Sequence, residues 1–522
     1  MTQALRLTWV QPEDLIGHEL RQAEEDGRDG SPVRDRWLAA GGALRPERAG
    51  ASKAPAPGAL RALAEELLGE LAALPCPSAT DEPTSFAGIA AACHPSPAAP
   101  GHGGAVGGST RRSPLARSDG DVPASEPPGR NEGPDSSEPP EQVSEPPDGG
   151  SDTRTTRASG PAGSPRPRPA HELGDALHAA WLGRAAGCLL GKPVEKLPLH
   201  AIRDIARATG NWPLTTWFTA KGLPPELASA HPWNRRSAPT SLAENIDGMP
   251  EDDDLNYPLL GLLLLQRHGR DFTTDDVARL WLDELPAGRT FTAERIAYRN
   301  LLCGIEPPLT ASHRNPFREW IGAAIRADVH GWTNPGDPAA AAAQAYRDAC
   351  LTHTANGVYG AMFTAAAIAS AATGTADVHA AIATGLTVVP PRSRFAAAVR
   401  FGVRAAGEHA DFADAVDSVH AEYGAYHWVH VLPNAALLVA ALTHADGDFT
   451  GSICRAVSGG LDTDSNGATA GSLAGLLAGR PDALPDRWTA PLKNRLATSV
   501  TGFDGVGFDT LAHLTLKEAL RP

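Results

Sequence analysis

Between Trp37 and Trp181 the chain carries one aromatic residue, Phe86, while all six tyrosines and nine of the eleven tryptophans lie after residue 170. A stretch so poor in large apolar side chains, and so rich in Pro, Gly and Ser, has too little surface to bury against the entropy of ordering it. Within it SEPP recurs at 125–128, 137–140 and 144–147, and PRPRP closes it at 165–169. Such low-complexity sequence reads as a tether. The sequence therefore predicts a short helical segment over 1–74, a disordered linker over 75–170, and one large folded domain over 171–522.

Charge and cysteine usage narrow the classes of function. With 61 acidic against 46 basic residues the formal net charge is −15, which argues against a protein that grips nucleic acid through its phosphates. The longest apolar run, Leu259 to Leu265, is far shorter than the roughly 20 residues that span a bilayer. Met1 to Asp14 has no apolar stretch of signal-peptide length. A soluble, cytoplasmic protein is expected. Cys76, Cys93, Cys188, Cys303, Cys350 and Cys454 are scattered without a CxxC pair, and reduced, mostly buried thiols are expected.

The folded part reads as all-α. Apolar residues recur at helical spacing over Glu13–Ala23 and Leu60–Leu74. Thr273 to Asp276 opens a helix with hydroxyls and acids. Ala339–Cys350, Gly360–Ala372, Ala376–Leu386 and Ala435–Leu442 are Ala-rich helix formers. Alternation of period two is almost absent. Small residues from Gly467 to Gly479 predict a helix that packs closely against a neighbour. No phosphate-binding Gly motif follows a strand, and no GxSxG elbow is present.

Two acidic clusters carry the chemistry. Glu251-Asp252-Asp253-Asp254 precedes an apolar helix over Leu259–Gln266, with Pro258 suited to its first turn. An acidic run by itself usually caps a helix in solvent. Here three successive aspartates repel one another at the end of a helix that is apolar all round, and carboxylates delivered to a buried helix end want a cation. The second cluster, Asp462-Thr463-Asp464-Ser465-Asn466, leads into the small-residue helix; an Asx turn or cap needs one of these side chains rather than three. Carboxylate and hydroxyl oxygens are hard ligands, suited to Mg²⁺ or Mn²⁺ rather than zinc. Two such sets facing each other can hold two ions, which orient a diol or activate water.

In order, the chain presents Gly183, Gly187, Cys188, Gly191 and Glu195; Asp252-Asp253-Asp254-Leu255; His353, Asn356, Gly357 and Gly360; and Gly460, Asp462-Thr463-Asp464-Ser465-Asn466. This succession resembles the ADP-ribosylglycohydrolase family over residues 171–522, the last motif being the most specific. The resemblance implies an all-α domain with a binuclear Mg²⁺ centre, Mn²⁺ being an alternative ion. It implies an ADP-ribose-containing substrate whose ribose the metals hold while water displaces the leaving group at C1″. Carried over by position, Asp252, Asp253 and Asp464 hold one ion and Asp254, Asp462 and Ser465 the other, with some sharing. Glu195, Asp253 and Asp464 become the catalytic acids, Glu195 positioning or deprotonating the water. His353, Asn356 and Gly357 become substrate contacts. The chain departs from the family pattern at Cys188 and Asp252, where Asp and Thr are usual, at Leu255 for Thr, and at an inserted Leu461; Ser465 for Thr keeps the hydroxyl. A glycosidase of a small N-riboside, or a non-catalytic ADP-ribose binder, would use the same residues.

Among the remaining polar and aromatic residues, His427 and His430 flank Trp428 without a third soft ligand, which favours packing. Tyr426 and Trp428 suit either a core or an adenine stack. Arg318 and Arg326 suit either nearby acids or a pyrophosphate.

Overall fold

The computed structural model of the chain describes residues 6–45, 50–52, 54–94 and 168–522. These residues form 22 α-helices joined by turns and short 3₁₀ segments, with no β-strand among them, so the protein is all-α. The helices that position the site are α1 (Pro12–Glu25), α2 (Ser31–Ala39), α3 (Gly58–Ala73), α4 (Phe86–Cys93), α5 (Ala170–Gly191), α6 (Asp253–His268), α7 (Ala355–Ala371), α8 (Val431–His444) and α9 (Thr463–Ala478). No helix of the described residues is long and apolar enough to cross a membrane.

Helix α5 is the centre of the domain because its sequence allows burial on every side. From Ala176 to Gly191 nearly every residue is buried, most of them Ala, Gly or Leu. It packs against α9 along a seam of small residues. Gly191 faces Thr463, Gly187 faces Gly467, Gly183 faces Gly471 and Ala179 faces Gly475. The register repeats every fourth residue and runs antiparallel. A methyl group on any of these glycines would fall on the facing backbone carbonyl, so only hydrogen permits the approach. The seam sets the end of α5, and the Glu195 that follows it, beside the start of α9 and its acidic cluster. Thr463 Oγ1 fastens that junction by donating to the Gly191 carbonyl at 2.8 Å.

Helix α6 starts earlier than its apolar run predicts. Asp252 caps it, its carboxylate accepting the Asp254 amide at 2.9 Å, and Pro258 therefore lies inside the helix rather than in its first turn. Proline has no N–H to offer the carbonyl four residues back. That carbonyl, of Asp254, accepts instead from Arg184 Nε of α5 at 2.7 Å. The kink-prone position thus becomes a tie between α5 and α6.

The N-terminal helices share a core with the main domain. Leu15, Ile16, Leu67 and Leu71 cluster with Ala293, Ile296, Phe317 and Trp320. Buried ion pairs reinforce this contact. Arg318 donates to Glu19 and to Asp26, both at 2.9 Å, and Arg394 to Glu82 at 2.6 Å and Glu319 at 3.1 Å. Part of the interval expected as linker is ordered: a 3₁₀ turn at Pro77–Thr80 and α4 fall inside it. The all-apolar α4 sends Ile89 into the main core, and Glu82, just before it, is 4% exposed between Arg394 and Asn356. Residues 95–167, the rest of the expected linker, lie outside the described residues.

Candidate functional site

The two acidic clusters meet on the floor of a cleft of about 1140 Å³, which Glu195, Asp252, Asp253, Asp462, Asp464 and Ser465 all line. Helix ends deliver them. Asp252 and Asp253 stand at the start of α6, Asp462 to Ser465 at the start of α9, and Glu195 just after the 3₁₀ turn that prolongs α5. The inserted Leu461 is absorbed by left-handed backbone, φ 62°, directly after Gly460 at φ 76°, so Asp462 still occupies the cap position of α9. Asn434 of α8 holds this loop. Its Oδ1 accepts the Asp462 amide at 3.1 Å and Asn466 Nδ2 at 2.7 Å. Its Nδ2 donates to the carbonyls of Trp428 and His430, both at 2.8 Å.

Asp254 stands behind the floor and is 1% exposed. Its Oδ1 lies 3.5 Å from the Arg184 guanidinium and has no hydrogen-bond partner among the described residues, while Cys188 Sγ lies 3.7 Å from its Oδ2. Cys188, Asp252 and Asp254 converge closely enough for their ligand atoms to lie within 4.8 Å of one another. Burial pushes the Cys188 thiol well above its usual range, so it sits there as a neutral donor.

The floor is charged beyond what the protein compensates. Burial, followed by repulsion from neighbouring acids, pushes Asp253, Asp254 and Asp462 well above the ordinary carboxylate range. Burial, Glu195 and Asp252 push Asp464 up to about 7. Asp252 is the exception. Burial opposes its charge, but the Lys192 ammonium bonds directly to its Oδ2 and holds it low. Carboxylates crowded in this way need added cations to ionise together. The donors are hard oxygens, and the unpartnered Asp254 Oδ1 is a buried lone-pair donor without a proton to accept. The residues present therefore suit Mg²⁺ or Mn²⁺.

Glu195 is braced for a directed role. Its Oε2 accepts from Asn234 Nδ2 at 2.8 Å and its Oε1 lies 2.8 Å from Lys196 Nζ. Above the floor the walls carry Phe291, Trp320, His427 and Trp428, with Arg235, Arg236 and Arg289. Trp320 and His427 stack with ring centroids 4.2 Å apart and planes 12° from parallel.

His353, Asn356 and Gly357 are not brought to this cleft. His353 is wholly buried with Nδ1 2.6 Å from Thr352 Oγ1. Asn356, at the start of α7, donates to Glu82 at 2.9 Å and Glu319 at 3.0 Å and accepts the Phe395 amide at 3.0 Å. A methyl group on Gly357 would press on the Arg318 carbonyl at 2.5 Å. The loop of Asn356 instead faces the N-terminal segment, whose buried Glu82 takes the Asn356 amide. Arg318 and Arg326 pair with acids, Arg326 with Asp348 and Glu294, both at 3.1 Å. Sequence reasoning passed over Arg184, Lys192, Asn234 and Asn434. Lys192 offered one signal, a cation between Gly191 and Pro193 inside the first motif; the others gain meaning only from contacts distant in sequence.

A family profile described as ADP-ribosylglycohydrolase matches residues 169–518. A solved structure described as an ADP-ribosylglycohydrolase-related protein complex is similar at 21% identity, covering 67% of this chain and 100% of that chain with a TM-score of 0.43. Among curated proteins no match is found.

Proposed function

From the premise that the chain belongs to the ADP-ribosylglycohydrolase family, whose members are hydrolases, we propose that it cleaves the glycosidic bond of an ADP-ribosylated substrate at C1″ of the ribose. One observation carries this reading: Glu195, Asp252, Asp253, Asp462, Asp464 and Ser465 converge on one cleft floor from three helix ends. Asp252, Asp253 and Asp464 would hold one divalent ion and Asp254, Asp462 and Ser465 a second, Mg²⁺ or Mn²⁺. When bound, such ions supply charge compensation and a fixed anchor for vicinal hydroxyls.

The protein's own groups account for the rest. The bond from C1″ to the leaving group breaks with its electron pair going to the leaving group, a water oxygen bonds to C1″, and the proton that this water loses ends on the leaving group. We assign Glu195 to accept that proton and pass it on, a role supported by the contacts of its carboxylate with Asn234 and Lys196. Positive charge develops on the ribose as the bond breaks, and the carboxylates of the floor stabilise it. Trp320, His427 and Trp428 shield one wall from water.

The test is titration calorimetry of ADP-ribose into the protein with Mg²⁺ and again with EDTA, followed by release of ADP-ribose from ADP-ribosylated protein. Binding only with Mg²⁺, together with turnover that Glu195→Gln abolishes, is expected. Release of free base from nucleosides without ADP-ribose binding would replace this reading with a small-riboside hydrolase. Binding without turnover on any ADP-ribosylated substrate would leave a binder.

A further inference from the structure

The interval matched by the family profile begins at residue 169, yet the cleft is not built from that interval alone. Trp9, His18 and Arg21 line the same cavity as Asp252 and Asp464. Helix α1, which carries two of them, is fixed in place: Glu19, next to His18, is buried and bonded to Arg318 and Arg28. The His18 ring meets Phe317 edge-on at 5.0 Å and Trp320 at 6.0 Å. Burial holds His18 and His427 neutral, at about 4 and about 3. This wall is therefore aromatic and uncharged at neutral pH, with one exception.

The exception is Arg21. It follows His18 by three residues, so the two share a face of α1, and it is only partly exposed. It forms no ion pair and no side-chain hydrogen bond among the described residues. One turn on along the same helix stand Glu24, which is exposed and makes no ion pair with Arg21, and Glu25, whose carboxyl is pushed up to about 8 by burial and by Glu319, which leaves it uncharged at neutral pH. Arg235 and Arg236 also line the cavity but stand exposed, where water screens them. Among the described residues, Arg21 is the cation of the cleft that is both sheltered and unpaired. A partly desolvated guanidinium gains most from a phosphate or carboxylate that it can grip with two N–H groups.

The floor of this cavity calls for cations and sugar hydroxyls, and the α1 wall calls for an anion. We propose that Arg21 forms an anion subsite that binds a phosphate of the substrate, so that residues outside the family domain set the requirement for a phosphorylated ligand. The choice of a diphosphate-linked sugar as substrate rests on the reading given under Proposed function; the anion subsite itself does not.

The experiment is calorimetric titration of the full chain, in Mg²⁺, with ADP-ribose, ADP and inorganic pyrophosphate in turn. Wild type is compared with Arg21→Gln and with Arg21→Lys, which keeps the charge but loses the two-pronged geometry. Arg21→Gln is expected to weaken ADP-ribose and ADP about ten- to hundredfold, with Arg21→Lys between the two and melting temperatures unchanged. Equal affinity of Arg21→Gln and wild type for ADP-ribose overturns the subsite and leaves the proposed function standing. Arg21-dependent binding of ADP and pyrophosphate without binding of ADP-ribose supports the subsite and removes the ADP-ribosyl reading. Binding of none of the three by wild type overturns both.

Discussion

Replacing Gly187 by alanine adds one methyl group to the α5–α9 seam. Its Cβ would lie on the Gly467 carbonyl, well inside contact distance, and the next atoms it meets are backbone too. Backbone cannot rotate out of the way as a side chain does, so the helices must part. Overpacking of a well-filled interior costs about 1–3 kcal/mol, and a rigid neighbour puts this site at the upper end. Alanine returns about 1 kcal/mol through its helix propensity. The net expectation is a loss of about 2 kcal/mol, or a melting temperature lower by about 4–8 °C at 2–4 °C per kcal/mol. Gly69→Ala in α3 and Gly407→Ala in the helix Arg394–Glu408 are the controls, since a methyl at either meets nothing within 4 Å. Both should melt slightly higher than wild type. Adding Gly467→Ala to Gly187→Ala should cost less than the sum of the two, because helices already parted by one methyl receive the second more easily. Differential scanning calorimetry of wild type and the five variants, Gly467→Ala alone among them, decides. A Gly187→Ala protein that melts with wild type, or above it, would refute the claim that this seam is closed to any side chain.

Other outcomes follow from the charges. Asp464→Asn should lose at least tenfold in Mg²⁺ or Mn²⁺ affinity by calorimetry, yet melt as high as wild type or higher without metal, since one repelling carboxylate is gone; unaltered metal affinity would remove Asp464 from the ligand set. Mg²⁺ should raise the wild-type melting temperature and EDTA reverse it. Arg394→Ala leaves Glu82 and Glu319 buried without their cation, while Asp26 keeps Arg318 and Arg28, at a cost of about 3–5 kcal/mol. Limited proteolysis should then cut within 77–94 under conditions that spare wild type, and an unchanged digest would argue against that anchor. His18 and His427 are held at about 4 and about 3 in the fold, below the usual 6.5. The unfolded chain takes up their protons first, so their contribution is complete above pH about 6.5. It is lost as pH falls towards 4, at about 1.4 kcal/mol per pH unit for each. His18→Asn/His427→Asn should flatten the fall in melting temperature between pH 7 and 5.

The acidic floor is legible because its carboxylates lie in short runs at helix starts, where three residues of sequence fix three residues of structure. The close approach of α9 was legible from its glycines. The partner of that approach was not, because nothing in one dimension pairs Gly187 with Gly467. Pro258 misplaced the start of α6, since its missing N–H is answered by Arg184, far away in sequence. The resemblance implies His353 and Asn356 as substrate contacts; in the fold their side chains meet Thr352, Glu82 and Glu319, and Glu82 comes from a stretch that composition reads as linker. Buried ion pairs of this kind escape pattern reading, because charged residues at helical spacing look like a solvated face.

The pairing of Arg318 and Arg394 with Glu19, Asp26 and Glu82 separates two boundaries usually taken as one. The interval matched by the family profile starts near residue 169, whereas the interval whose buried charges balance starts more than a hundred residues earlier. A protein cut at the first boundary keeps every acid of the floor and yet exposes the seat of α1 as bare guanidinium groups and unmatched aromatic surface. Family likeness and cooperativity divide this chain at different places.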